Sequence, residues 1–185
     1  MIYLVRHGLD DENYIGGHSD VDLIEEGIVQ VNDLGKWFYQ SNFNVDKIFT
    51  SDVKRAVSTA SIINKYLNLE LFLDNNLREL DKGLLTGMRK DDAMFLYPTY
   101  VNINDVAIKY PNGESMNDFY LRIKKLLLYM FKYEDCVVVT HRGVINMIYC
   151  YLLGDSVHLN KEKYNVEHAS VHELDLIKRK VRRIK

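Results

Sequence analysis

The fold is decided by the stretch MIYLVRHG at residues 1–8, where the apolar run Ile2–Val5 leads directly into Arg6 and His7. A short apolar run that ends at a charged residue is typical of a buried strand. Arginine binds phosphate oxygens through two parallel hydrogen bonds, and histidine can act as a nucleophile near neutral pH. The stretch therefore predicts a strand with a candidate phosphate site at its carboxyl end.

The same pattern returns later in the chain, where the apolar run Cys136–Val139 leads into Thr140, His141, Arg142 and Gly143. Elsewhere, short apolar runs alternate with longer segments of helical period. This alternation predicts an α/β fold, a three-layer α/β/α sandwich whose sheet is mostly parallel with an antiparallel edge strand.

The predicted strands are Ile2–Val5, Lys47–Thr50, Glu70–Leu73, Cys136–Thr140, Ser170–Leu176 and Lys180–Ile184, and we expect the first four to be buried. The predicted helices are Glu25–Gln40, Val53–Leu67, Lys90–Tyr97, Asn117–Phe131 and Val144–Leu153. The last two strands alternate apolar and polar residues more than the others, which predicts a half-exposed pair at the sheet edge.

Several helix ends carry capping residues. Ser51 or Asp52 can cap the helix that begins at Val53, and Glu114 and Ser115 can cap the one at Asn117. Gly154 follows the last predicted helix directly, where a glycine is favoured because it adopts left-handed backbone angles.

Composition limits the classes of function. The 185 residues contain no linker or repeat, so we expect one domain over residues 1–185. A net charge of −2 gives no overall attraction to nucleic acid or to an anionic membrane, and no long apolar stretch predicts a membrane span. Cys136 and Cys150 lie in apolar segments without a CxxC partner, which predicts buried reduced thiols. With no signal peptide recognisable, we expect a cytoplasmic protein.

The remaining histidines do not suggest a metal site. His18, His158, His168 and His172 lack the HxxxH or HExxH spacing of metal ligands, so we expect neither a metal nor another cofactor. His168 differs from the others because it precedes a predicted strand that borders the pocket.

Cationic side chains follow three of the predicted strands. Arg6 and His7 follow the first, Arg55 follows the second at a helix start, and His141 follows a fourth. Ligands of parallel α/β sheets bind beyond the carboxyl ends of the strands, where helix amino termini also present free N–H groups. If these strands are adjacent, the four side chains form one cationic pocket.

Five motifs in order resemble those of the histidine phosphatase superfamily, which includes the cofactor-dependent phosphoglycerate mutases. They cover most of the chain: Arg6-His7-Gly8, Ser51–Ala56 with Thr59-Ala60, Leu77-Arg78-Glu79, Pro111–Ser115 and Thr140-His141.

The resemblance implies a metal-free mechanism in two steps. His7 would attack phosphorus and form a phosphohistidine, while Arg6, Arg55 and His141 hold the phosphoryl oxygens. Glu79 would protonate the leaving oxygen and then activate the water that frees the histidine. Asn13 stands where the family has a further phosphate-binding asparagine.

Two positions depart from the family pattern. Asp10 replaces the usual serine or threonine, and a carboxylate beside a phosphate dianion is repelled by about 1 kcal/mol at 4 Å in water. We expect it to point away, to pair with a cation, or to meet a positive part of the substrate. Arg142 replaces a common glycine, where its side chain would clash with substrate or add a fifth positive group at the rim of the pocket.

The residues around the pocket distinguish a phosphatase from a mutase within the superfamily. Only a short segment separates Glu79 from Pro111, which favours a phosphatase acting on a small phosphoester over a mutase; a catalytically silent phosphate-binding protein is a further alternative. The sequence leaves open whether the protein forms a homodimer. The segment offers these candidate wall residues: Leu84, Met88, Arg89, Met94, Phe95 and Tyr97.

Overall fold

The structure is a computed structural model that describes residues 1–185. Its strands are β1 Ile2–Arg6, β2 Lys47–Thr50, β3 Glu70–Leu73, β4 Cys136–Thr140, β5 Val171–Asp175 and β6 Lys180–Arg183. Its α-helices are α1 Glu25–Ser41, α2 Lys54–Leu67, α3 Lys90–Leu96, α4 Pro98–Val101, α5 Met116–Tyr129 and α6 Arg142–Leu153. Short 3₁₀ turns lie at Asn75–Leu77, Gly83–Leu85 and Met130–Lys132.

The six strands form one sheet in the order β3-β2-β4-β1-β5-β6. The first four are mutually parallel, whereas β5 pairs antiparallel with both β1 and β6. The predicted mostly parallel sheet and the antiparallel pair at its edge are therefore confirmed. One expectation about burial is wrong, because β3 is the opposite edge strand and leaves Phe72 and Leu73 exposed.

Helices cover both faces of the sheet. Along β1, Ile2 and Leu4 pack into a core shared with α5 and α6, whereas Tyr3 and Val5 pack with α1 and α2 on the other face. Successive side chains of a strand point to opposite faces, so a continuous apolar run is what a doubly covered strand requires. The three-layer α/β/α architecture is confirmed.

The helix ends follow the predictions in part. Gly154 ends α6 in the left-handed region with a φ of 73°, as expected. Ser115 caps α5, because its hydroxyl accepts a hydrogen bond from the Asp118 N–H while the Asp118 carboxylate accepts one from the Ser115 N–H. Glu114 does not cap this helix but binds the Arg122 guanidinium, with 2.7 Å between Oε1 and Nε.

The expected side-chain cap on α2 is absent. Val53 is the N-cap residue and caps nothing with its side chain. Ser51 and Asp52 instead interact mainly with other side chains, since the Ser51 hydroxyl bonds to His141 and the Asp52 carboxylate pairs with Arg78. The prediction failed because both side chains have these other partners, and the Ser51 hydroxyl accepts only a long hydrogen bond of 3.4 Å from the Val53 N–H.

Two further expectations concern the chain as a whole. Cys136 and Cys150 are both free and buried, as predicted. None of the helices is both long enough and apolar enough to cross a bilayer.

Candidate active site

The carboxyl ends of β1, β2 and β4 meet at one edge of the sheet. Because β4 lies between β1 and β2, the His7 N–H donates to the Thr140 carbonyl at 3.0 Å, and the Ser51 N–H donates to the Val139 carbonyl at 3.0 Å. The backbone of these neighbouring parallel strands thus brings the residues that follow each strand together, as the sequence predicted.

His7 is held in one tautomer. Its Nδ1 lies 2.8 Å from the Gly8 carbonyl oxygen, which can only accept, so Nδ1 carries the proton. Its Nε2 accepts a hydrogen bond from Arg55 Nε at 3.2 Å and therefore has a lone pair. Burial, followed by the charge of Arg55 and the neighbouring His141, lowers the pKa of His7 well below its usual range. The imidazole is therefore neutral at physiological pH, which is the nucleophilic form.

Gly8 lets the first helix approach the loop after β1 closely. A Cβ at this position would lie 2.5 Å from the Val31 side chain and 2.8 Å from the Gly27 carbonyl, both in α1. The Gly8 N–H donates to the Thr59 hydroxyl at 3.1 Å, which ties the loop after β1 to α2. The glycine of the first motif is thus required by packing.

Arg55 lies at the centre of the hydrogen-bond network of the site and is 1% exposed. Besides His7, its guanidinium donates to the Ser19 carbonyl and hydroxyl at 3.3 Å, to the Gly17 carbonyl at 2.7 Å and to His141 Nδ1 at 3.3 Å. A guanidinium has five N–H donors, and every one has a partner here. The guanidinium group is therefore held in one orientation before any ligand binds.

His141 lies behind Arg55 and is fully buried. Since its Nδ1 accepts from Arg55, its Nε2 donates to the Ser51 hydroxyl at 2.9 Å. Burial and then the charge of Arg55 lower the pKa of His141 well below its usual range, so this ring is also neutral. It does not line the cavity that contains His7 and Arg55.

Arg6 has a free donor. Its Nη1 donates to the Val166 carbonyl at 2.8 Å, and its Nη2 contacts His168 Nε2, whereas its Nε is buried without a partner. Burial, and next the charge of Arg142, lower the pKa of Arg6 to about 10, so it stays charged at neutral pH. An unpaired guanidinium N–H at a cavity wall suits an incoming anion.

Glu79 is oriented by backbone groups. Its Oε1 accepts from the Leu80 N–H and its Oε2 from the Gly143 N–H, each at 2.9 Å. Its own carbonyl accepts from Arg122 Nη2 at 3.0 Å and hydrogen-bonds His18 Nε2 at 2.9 Å. The carboxyl group therefore has a fixed position in the cavity wall, as a proton-transfer group requires.

We expect Gly143→Ala to lower kcat by about 10²-fold with little change in KM, because general acid catalysis contributes on this scale. A Cβ at this position would lie 2.1 Å from Glu79 Oε1 and would displace the carboxylate. Steady-state hydrolysis of an alkyl phosphate measures the effect.

Gly16→Ala is the matched control for this substitution. A Cβ there meets only Arg55 Nη2 at 3.8 Å, an ordinary contact, although Gly16 lines the same cavity. If the two variants retain equal activity, the position of Glu79 does not matter for the reaction.

Asp10 pairs with the Arg55 guanidinium, and pairing with a cation is one of the three expectations for this position. Its carboxylate lies 3.5 Å from Arg55 Nε and 3.7 Å from His168 Nε2. Burial opposes ionisation, but the neighbouring His168 and the charge of Arg55 outweigh it and hold the pKa of Asp10 at about 2. The carboxylate is therefore ionised and compensates part of the cationic charge of the site.

A metal ion has one candidate set of ligands here. His7, Asp10 and His168 each offer an atom, and these atoms lie within 4.8 Å of one another. The guanidiniums of Arg6 and Arg55 contact the same side chains and oppose a cation at this point.

The cavity at this edge has a volume of about 450 Å³ and is lined by Arg6, His7, Arg55 and Glu79 among the predicted residues. Asn13 is not brought to it. The Asn13 amide donates to Asp11 Oδ1 at 2.9 Å, and the same oxygen accepts its backbone N–H, so a local turn holds the side chain in solvent.

Of the six predicted wall residues, only Met94 lines the cavity. Phe95 is 84% exposed, while Met88 and Tyr97 pack beneath the segment against Leu85 and its neighbours. The expectation is wrong for the other five because Leu84 and Phe95 face solvent, Met88 and Tyr97 belong to a separate apolar cluster, and Arg89 lies over the Tyr14 ring. Besides Met94, the apolar wall residues from this region are Leu85, Tyr100, Val101 and Tyr110.

Several contributors were missed by sequence reasoning. Gly17 and Ser19 bind Arg55 through carbonyl oxygens, which no side-chain pattern predicts. Arg122 also fixes the backbone before Glu79 by donating to the Asn76 and Arg78 carbonyls. Only His168 carried a signal, because it precedes a strand beside the pocket.

Comparison with known proteins agrees with this arrangement. A family model of the histidine phosphatase superfamily (branch 1) matches residues 2–184. The chain therefore belongs to the histidine phosphatase superfamily, and it is a phosphatase of that superfamily.

Two curated relatives show the range of similar proteins. The chain is 32% identical over 163 residues to phosphoserine phosphatase 1 of Hydrogenobacter thermophilus, which covers 83% of this chain and 76% of the relative. It is 32% identical over 154 residues to a 2,3-bisphosphoglycerate-dependent phosphoglycerate mutase of Allorhizobium ampelinum, covering 76% of this chain and 73% of the mutase.

Solved structures of similar proteins share the fold. The alpha-ribazole phosphatase from Shigella flexneri aligns with a TM-score of 0.82 at 21% identity, over 98% of this chain and 93% of that one. A mycobacterial glucosyl-3-phosphoglycerate phosphatase aligns with a TM-score of 0.78 at 23% identity, over 99% and 96% of the two chains. These likenesses support the phosphoglycerate mutase-like architecture.

Proposed function

We propose that the chain is a metal-independent phosphomonoesterase that hydrolyses a small phosphorylated metabolite through a phosphohistidine on His7. The observation that carries the proposal is the state of this side chain. Its neutral Nε2 has a lone pair, the ring lines a cavity, and the guanidiniums of Arg6 and Arg55 lie beside it.

The first step is the transfer of the phosphoryl group to His7. Nε2 forms a bond to phosphorus, the bond from phosphorus to the ester oxygen breaks, and Glu79 in its protonated form gives its proton to the departing oxygen. Arg6 supplies its unpaired Nε–H to a phosphoryl oxygen. In the free protein Arg55 Nε donates to His7 Nε2, so a phosphoryl oxygen has to replace Nε2 as the acceptor of this N–H, which frees the lone pair that attacks.

The second step restores the enzyme. Glu79, now a carboxylate, takes a proton from a water molecule, whose oxygen attacks phosphorus as the bond from phosphorus to Nε2 breaks. Phosphate leaves, His7 is again neutral, and Glu79 again holds a proton. The role of His141 in this scheme is to hold Arg55 through Nδ1, because the ring does not reach the cavity.

The compartment and partners complete the proposal. The partner is a small phosphoester rather than a nucleic acid or a membrane, since the chain carries a net charge of −2. We place the protein in the cytoplasm, because its two free buried cysteines suit a reducing compartment.

Phosphate release from a panel of phosphorylated sugars, hydroxy acids, nucleotides and amino acids tests the proposal, with EDTA present throughout. We expect release from at least one substrate class at a rate that EDTA leaves unchanged. Activity that disappears with EDTA and returns with a divalent metal contradicts the metal-independent mechanism.

The reaction products distinguish a phosphatase from a mutase and from a silent binding protein. A phosphatase yields free phosphate and the alcohol, whereas a mutase returns an isomer of the substrate with little phosphate. Tight binding of phosphoesters without turnover of any member of the panel identifies a silent binding protein.

A further inference from the structure

The cavity that contains His7 has a second group of cations in its wall: Lys82, Arg142 and Lys161, here called the second basic cluster. The three residues come from separate segments. Lys82 precedes the turn at Gly83–Leu85, Arg142 is the first residue of α6, and Lys161 lies in the loop between α6 and β5. None of these charges has a part in the two-step mechanism above.

The cluster is short of negative charge. Burial, and next the charge of Lys161, lower the pKa of Lys82 to about 8. Burial likewise lowers the pKa of Lys161, and the charge of Arg142 lowers it further. All three side chains line the same cavity, where Lys82 and Arg142 are half-buried and Lys161 is more exposed.

Two carboxylates face the cluster, and each offsets only part of its positive charge. Glu162 Oε1 lies 2.6 Å from Arg142 Nη1, but the Glu162 side chain is 74% exposed, so water screens this pair. Glu79 accepts hydrogen bonds from two backbone N–H groups. A partly buried group of like charges is costly without a counter-charge, which a ligand can supply.

A polar residue in the same wall has an unused acceptor. Asn146 is 4% exposed and lines the cavity, and its Nδ2 donates to the Lys161 carbonyl at 2.9 Å, which fixes the loop that carries this lysine. Its Oδ1 is buried and has no partner. Natural structures rarely leave such atoms unpaired, so this acceptor points to a ligand group that donates a hydrogen bond.

We infer that the second basic cluster binds a second anionic group of the substrate, while Asn146 accepts a hydrogen bond from a hydroxyl or ammonium group next to it. The substrate class is then a compact phosphomonoester that also carries a carboxylate or a further phosphate. The inference rests on the proposed function, because it requires the reacting phosphoryl group to lie at His7.

Pairs of substrates that differ only in the second anion test the inference in the wild-type protein. The pairs are 3-phosphoglycerate with glycerol 3-phosphate, O-phosphoserine with O-phosphoethanolamine, and glucose 1,6-bisphosphate with glucose 1-phosphate. We expect kcat/KM to be about tenfold or more higher for the anionic member of at least one pair, since a charge-assisted hydrogen bond has this effect. The pair that responds tells whether the group is a carboxylate or a phosphate.

Substitutions test whether the second basic cluster causes the preference for the anionic substrate. Arg142→Met and Lys161→Met, which come from different segments, are each expected to lower this preference about tenfold through KM. Lys125→Met is the matched control, because Lys125 is exposed on α5 and has no ion pair. It is expected to keep the wild-type preference.

The outcomes are distinct from those of the proposed function. Equal kcat/KM within every pair, or an equal loss for both members in the two variants, overturns the inference. Hydrolysis of p-nitrophenyl phosphate needs only the site around His7, so its absence contradicts the proposed function instead.

Discussion

His7→Ala is expected to lose at least about 10⁴-fold in kcat, the scale seen when a covalent nucleophile is removed. The imidazole is the only neutral nucleophile in the cavity wall that has guanidiniums on either side, and water cannot take its place without the same orientation. The measurement is phosphate release at saturating substrate with EDTA present.

The fold is expected to survive this substitution. His7 follows β1, whose hydrogen bonds to β4 and β5 come from its backbone, and its own N–H to the Thr140 carbonyl does not depend on the side chain. The melting temperature should therefore remain within about 5 °C of the wild type, which corresponds to 1–2 kcal/mol in a chain of this size. A folded His7→Ala protein with near wild-type turnover is incompatible with covalent catalysis at this residue.

Arg55→Lys is expected to lower kcat by about 10²–10³-fold, comparable to the loss of one preorganised donor in other active sites. Lysine keeps the positive charge but has its three donors on one atom, so it cannot reach Gly17, Ser19, His7 and His141 together. The charge would no longer be held in the direction of the phosphoryl group.

The same substitution is expected to lower the free energy of unfolding by about 2 kcal/mol, because buried carbonyl acceptors lose their donors. Urea unfolding measures this change. Arg182→Lys is the matched control, since Arg182 also pairs with a carboxylate, Glu173, but its side chain is 73% exposed and such pairs contribute less than about 1 kcal/mol. Equal effects of the two substitutions on stability and activity would show that the burial of Arg55 has no special role.

The fold could be predicted because the apolar runs of the sequence coincide with the strands that the sheet requires. Lys47–Thr50 and Cys136–Thr140 were predicted with the bounds that the structure shows, since each is an apolar run between polar residues. The exposure of β3 could not be predicted in this way, because an apolar run such as Glu70–Leu73 does not tell whether a further strand covers its edge.

The candidate site was predictable as far as its side chains follow strands. Arg6 and His7 converge with Arg55 because the strands before them are neighbours, whereas the position of His141 behind Arg55 depends on how the rings pack. Asn13 could not be placed correctly from the sequence, because its amide donates a hydrogen bond to Asp11, two residues earlier, and does not reach the cavity. Side-chain competition of this local kind is not visible in a motif.

Rapid trapping of the phosphoenzyme shows whether His7 carries the phosphoryl group during turnover. The wild-type protein is mixed rapidly with substrate in EDTA and quenched in alkali, which preserves a phosphohistidine, and its peptides are analysed by mass spectrometry. We expect one added phosphoryl group on His7, formed faster than the steady-state turnover and absent from His7→Ala. A phosphoryl group on another residue, or turnover without any trapped phosphoenzyme, would contradict it.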